Sequence, residues 1–212
     1  MAGHRREFDR SLERIEAKVI MLFAMIAEDL PAATQSLLDD SGETAGALAE
    51  REQLVDALCA EIEDLAAREV LRQAPVASDL RFLLTVLRVV PELERSHDLV
   101  MNIASRAGNV PAAALTPAIL DLTAQMADLA SGLWQQASEA WYHRDRAAAA
   151  ALSGHGTEMD RLRARLTAEI ATAQTPAPAA MEMTLTARDY ERLGAHAVNI
   201  TRRVTYLAGG KN

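Results

Sequence analysis

Glu94-Arg95-Ser96-His97-Asp98, followed by Asn102-Ile103, returns later in the chain as Glu191-Arg192-Leu193-Gly194-Ala195, followed by Asn199-Ile200. The offset from Glu94 to Glu191 and from Asn102 to Asn199 is the same, 97 residues. Residues four apart on a helix stand nearly above one another. Glu94, Asp98 and Asn102 therefore make a stripe of oxygen ligands in the first copy. Two such helices predict a duplicated helical bundle with something bound at an acidic face.

Composition agrees with an all-α chain. Half of the 212 residues are hydrophobic and only 4% are aromatic, which predicts a core of Ala, Leu, Val, Ile and Met. Few glycines and few β-branched runs favour helix. The formal net charge of −8 speaks against a nucleic-acid partner, which needs a basic face. Cys59 is the one cysteine, so there is no intramolecular disulfide and no thiolate cluster; it reads as a small core residue. The basic start at His4-Arg5-Arg6 leads into acidic residues and not into a signal core. The longest apolar stretch, Val19 to Ala27, is far short of the ~20 residues of a spanning helix. A cytoplasmic protein without membrane insertion is expected.

The punctuation of the chain predicts six helices. Helix one covers about His4 to Leu38 with Pro31 bending it, and helix two about Glu43 to Arg72. After Gln73-Ala74-Pro75, helix three opens with Ser78 as N-cap and runs to about Arg106. Gly108 to Pro117 reads as a linker. Helix four then reaches about His143, helix five runs from Asp145 to about Ala173, and Thr175-Pro176-Ala177-Pro178 precedes helix six, which extends from about Ala179 to Leu207. Gly209-Gly210 ends it. Val55-Asp56-Ala57-Leu58 resembles Met159-Asp160-Arg161-Leu162, and Asp29-Leu30 resembles Asp128-Leu129. Their common order predicts two tandem three-helix units, residues 1–107 and 108–212. Superposed, they should lay Glu94 on Glu191 and Asn102 on Asn199.

At about 100° per residue, Leu80, Leu84 and Leu87 share a side of helix three with Glu94, Asp98 and Asn102. Stacked carboxylates repel, and burying them is costly unless a cation neutralises them. Oxygen donors suit hard or borderline cations: Mg, Mn, Ca, Fe or Zn. The alternative is a solvated helical face with Glu94 paired to an arginine. Glu94 and His97 also form one Glu-x-x-His, the ligand pair of ferritin-like di-iron bundles. Gly194 stands where a second such pair needs His, so His97 reads as a surface or packing residue. A purely structural helical dimerisation module is a third reading.

Pro75-Val76-Ala77-Ser78-Asp79-Leu80-Arg81, with Glu92 to Asp98, resembles the first-repeat signature of the PhoU family of phosphate-transport accessory and regulatory proteins. Tyr190 to Ile200 resembles the family's second copy, and the likeness covers essentially the whole chain. The resemblance implies a cytoplasmic, dimeric, all-helical protein. It further implies contact with a phosphate ABC importer, through its ATPase subunit, and with a sensor histidine kinase, and repression of phosphate-starvation genes. Metal clusters in such proteins lie on a Glu-x-x-x-Asp pattern. Carried over, that pattern implies metal ligands at Glu94 and Asp98 with Asn102 below, and at Glu191 with Asn199 below, joined by Asp56 and Asp160 from the second helices. The chain departs from the pattern at Ala195, which stands for the second Asp, and at Ser96-His97, which replace a hydrophobic-Gly pair. No nucleophile–base set and no phosphate loop is present, so no enzyme is expected.

Overall fold

The computed structural model describes residues 2–39, 43–152 and 156–209, and among these every regular element is a helix. The long helices are α1 (Ala2–Asp39), α2 (Glu43–Gln73), α3 (Ala77–Ser105) and α4 (Pro117–His143). A short α5 (Arg146–Ala151), then α6 (Gly156–Thr172) and α7 (Ala177–Ala208), complete the chain. The single fifth helix read from sequence is thus two. Its first part is an alanine run of high helix propensity, and α6 starts afresh at Gly156, a residue that favours breaks. α1 passes through Pro31 as one helix. Ser78 is not a cap: α3 begins at Ala77 behind Val76, and no side chain caps it. Thr116 does cap α4, accepting a hydrogen bond from the Ile119 amide at 3.3 Å.

α1 packs on α4 and α3 on α7, with α2 flanking α1 and α3, and α6 flanking α4 and α7. Both central pairs are antiparallel. Along α3 and α7, Arg81 lies over the Tyr206 ring, Ser96 meets His196, and Arg106 pairs with Asp189 at 2.6 Å and Glu182 at 3.2 Å. Along α1 and α4, Glu16 pairs with Arg144, and the Phe23 ring lies 6.1 Å from Trp134 and 6.0 Å from Trp141. Most of the few aromatics are therefore not peripheral, although Tyr142 and Tyr206 are exposed. Phe23, Trp134, Trp141 and Tyr190 are among the largest fully buried side chains, where each removes more apolar area from water than any aliphatic.

The burial pattern carries the internal repeat in finer detail. Ile15, Val19, Leu22, Ile26, Leu30 and Leu37 are buried, and so is every residue 104 positions on: Ile119, Thr123, Met126, Ala130, Trp134 and Trp141. The same offset relates Val55, Ile62 and Ala66 of α2 to Met159, Leu166 and Ile170 of α6. Between α3 and α7 it drops to 97, as from Leu93 to Tyr190 and Val100 to Ala197. The difference of seven residues is about two helical turns, and most of it falls at the end of α6, which stops at Thr172, five residues short of the position 104 beyond the α2 end at Gln73. Two whole turns leave the buried faces in phase. The pairing of Asp29-Leu30 with Asp128-Leu129 is therefore a register error. Asp29 corresponds to Leu133 and Leu30 to Trp134, and Asp29 is buried while Asp128 is exposed.

A buried hydroxyl pair also ties the halves. The Tyr190 and Thr34 hydroxyls meet at 2.8 Å, and Thr34 also lies 2.9 Å from the Leu30 carbonyl, to which it donates. Thr34's hydrogen is thereby committed, so Tyr190 donates to Thr34. Tyr190→Phe should cost about 1 kcal/mol in urea unfolding; an unchanged midpoint would show that this bond carries no net stability.

Candidate functional site

The acidic site lies where α2 and α3 run side by side. Glu94 is half-buried and Asp98 exposed on α3, facing exposed Asp56 and half-buried Glu63 on α2, with Cys59 buried among them. Burial and the neighbouring Asp56, Asp98 and Glu63 charges hold the Glu94 carboxyl above its ordinary range. Burial and Asp56 do the same to Asp98. The Cys59 thiol, desolvated and surrounded by Glu94, Asp56, Glu63 and Asp98, is pushed up to about 12. It is a buried thiol, as its sequence context suggested, and not a reactive one.

Among the described residues, Glu94 has no arginine partner of the kind a solvated-face reading requires. Arg95 pairs with Glu92 at 3.1 Å. Among the described residues, Asp56, Glu63, Glu94 and Asp98 make no ion pair. Their stripe is the margin of α3, half open to water, and not a packed side: Leu84 on the same line is itself 36% exposed. Asn102 lies exposed one turn beyond Asp98. Glu63 escaped the sequence reading, although its seven-residue spacing from Asp56 puts both on one side of α2.

The residues that broke the repeat, Ser96 and His97, both have interior roles. His97 is 1% exposed, and its Nε2 lies 3.1 Å from Asp29 Oδ2 on α1. A carboxylate only accepts, so Nε2 carries the hydrogen, while Nδ1 is buried without a partner. Arg51 of α2 lies 2.9 Å from the other Asp29 oxygen and also bonds Glu28. His97 is thus a core residue turned about 100° around α3 from Asp98 and held by Asp29 of α1, which removes it as a ligand beside Glu94. Ser96 Oγ donates to the Glu92 carbonyl at 2.6 Å and receives His196 Nδ1 at 2.9 Å, linking α3 to α7. Its buried hydroxyl is committed to this seam.

In the second repeat, Asp160, Glu191, Ala195 and Asn199 line one cavity of about 330 Å³ with Gly194 and Arg202. Glu191 is not free here. Arg163 Nε pairs with it at 2.8 Å, and Arg202 reaches Asn199 Oδ1 at 3.4 Å. Gly194 faces Leu133, whose Cδ1 lies 3.2 Å from the place a Cβ would take. A Leu–Gly contact here answers the Asp29–His97 contact of the first repeat. A wider cavity of about 770 Å³ around Leu12, Phe82, Arg144 and Leu207 contains none of these carboxylates.

Comparison with known proteins agrees with this fold. The PhoU domain profile matches residues 19–107 and again residues 123–204. The chain belongs to the PhoU family. A Synechocystis protein described as a phosphate-specific transport system accessory protein PhoU homolog is 30% identical over 98% of this chain and 93% of its own length. A PhoU homolog 1 from Thermotoga maritima is 28% identical over 97% of this chain and 90% of its own. The PhoU crystal structures from Pseudomonas aeruginosa and Streptococcus pneumoniae share the fold, with TM-scores of 0.88 and 0.86 at 23% identity. They are matched over 100% and 98% of their lengths and 96% of this chain. The all-helical PhoU architecture and the place of this chain among phosphate-transport accessory proteins follow from these matches. Among the described residues, no helix is long and apolar enough to cross a membrane.

The donor chemistry of the two repeats differs in its fit to a metal ion. The first offers unpaired carboxylates on two helices, the donor set a hard cation takes. Among the described residues, no three His, Cys, Asp or Glu side chains converge tightly enough to enclose a metal. A cation would therefore have to draw the half-exposed side chains inward. The second repeat, with Glu191 already paired to Arg163, does not fit.

Proposed function

We propose that this chain is a cytoplasmic, homodimeric regulator that restrains phosphate-starvation signalling through protein contacts, without turnover of its own. Its partners are the ATPase subunit of a phosphate ABC importer and a sensor histidine kinase. The observation carrying this reading is the match along nearly the full length of the chain to relatives described as phosphate-transport accessory proteins. The two units are residues 1–107 and 108–212. In the first, Glu94, Asp98 and Asp56 hold a divalent or trivalent cation, with Glu63 and Asn102 beside them. The cation cancels their repulsion and stiffens the α2–α3 face. Deleting the gene should raise a phosphate-starvation reporter in phosphate-rich medium, and a plasmid copy should restore repression. A reporter that stays silent, in a strain without a second PhoU-like gene, would leave the chain a structural helical module.

A further inference from the structure

We infer that in the second repeat the guanidinium of Arg163 holds the place of a metal ion, so that this half is closed to metal by an internal ion pair and not merely weakened by Ala195. The inference rests on the metal reading of the first repeat for what the site would otherwise hold. The shared offset of 104 puts Asp160 at the position of Asp56, Thr167 at that of Glu63 and Arg163 at that of Cys59. The offset of 97 puts Glu191 at the position of Glu94 and Ala195 at that of Asp98. Five equivalent positions thus carry four carboxylates in the first repeat, but two carboxylates and an arginine in the second.

The arginine is engaged: its Nε lies 2.8 Å from Glu191 Oε2. It is the tethered cation that Glu94 lacks, in an ion pair whose side chains are 44% and 35% exposed. A guanidinium stays protonated at any working pH, so a metal entering here would have to displace a covalently tethered competitor. Arg202, within reach of Asn199 Oδ1, brings a positive charge to the cavity that Glu191 shares with Asp160 and Ala195, whereas Arg163 meets Glu191 without lining that cavity. Thr167 supplies no ligand charge, and its hydroxyl donates to the Arg163 carbonyl at 2.9 Å.

Restoring the missing carboxylate is therefore not enough. In a chain whose first repeat is disabled by Glu94→Ala/Asp98→Ala, Mn²⁺ titration by calorimetry isolates the second. Ala195→Asp alone should bind no more Mn²⁺ than this background. Ala195→Asp combined with Arg163→Gln should gain one Mn²⁺ per chain, at least tenfold tighter than any residual binding. Arg163→Met in the same combination guards against a defect peculiar to one substitution, and circular dichroism verifies that each variant is helical. Equal binding by Ala195→Asp with and without Arg163 would overturn the inference, as would no gain in either helical combination. The first-repeat reading stands or falls separately, on whether Glu94→Ala/Asp98→Ala removes Mn²⁺ from the wild-type chain.

Discussion

Replacing Asp29 with Leu should destabilise the protein by about 3 kcal/mol, and adding His97→Gly should restore most of that loss. Asp29 is 2% exposed and is the hydrogen-bond partner of His97 and the ion-pair partner of Arg51. Removing one member of a buried polar set strands the others, at a cost of about 3–5 kcal/mol. Arg51 softens the loss here, because it is partly exposed and keeps Glu28 at 3.0 Å. The imidazole, 1% exposed, has no such recourse. The second repeat supplies the solved alternative at the same register, Leu133 packed over Gly194. With both changes made, the first repeat would carry this pair, short of wild type mainly by the ~1 kcal/mol that a mid-helix glycine costs. Urea unfolding of the wild type, both single variants and the double closes the cycle. Additive losses would show that the two contacts are not interchangeable.

That pair also marks the limit of what the sequence made legible. Helical architecture, the prolines before each third helix and the 97-residue relation of α3 to α7 were readable because they are local or repeat as strings. His97 reads from the sequence as a surface or packing residue, and it is the latter. Its burial, however, depends on an aspartate 68 residues away, which periodicity within one helix does not report. Matching Asp29 to Asp128 failed because a shared charge is a poorer guide than a shared buried face. The true register sets an aspartate against a leucine, a substitution understood only with its partner in view. Arg163 was hidden for a related reason. An arginine on an amphipathic helix looks like solvent surface until the neighbouring helix brings Glu191 to it. Glu63, by contrast, was within reach, since Asp56 and Glu63 differ by seven residues.

The carboxylates of the first repeat should make the metal-free protein lose stability as pH rises, and a bound metal should reverse that slope. Burial and mutual repulsion raise the Glu94 and Asp98 carboxyls above their ordinary range in the folded state. The folded chain then holds protons there that the unfolded chain has released. The favourable contribution is present at low pH and disappears as pH climbs from the ordinary carboxylate range through the raised folded values. Glu94→Gln/Asp98→Asn has no such titration. In chelator it should overtake the wild type toward neutral pH by about 0.5–1 kcal/mol, the scale of a few like-charge contacts at partly exposed sites. Comparing the two proteins cancels groups common to both, including Glu61, whose carboxyl is held low by Lys18 and Arg14. Metal inverts the order, because it binds the ionised carboxylates and displaces their protons. With Mn²⁺ at a hundred times its dissociation constant, the wild type should gain about 2.7 kcal/mol and the amide variant nothing. Thermal or urea unfolding from pH 4 to 8, with chelator and with Mn²⁺, checks both halves. A wild type that tracks the amide variant in chelator would mean these charges are relieved by water alone. Equal Mn²⁺ stabilisation of both proteins would move the metal off Glu94 and Asp98.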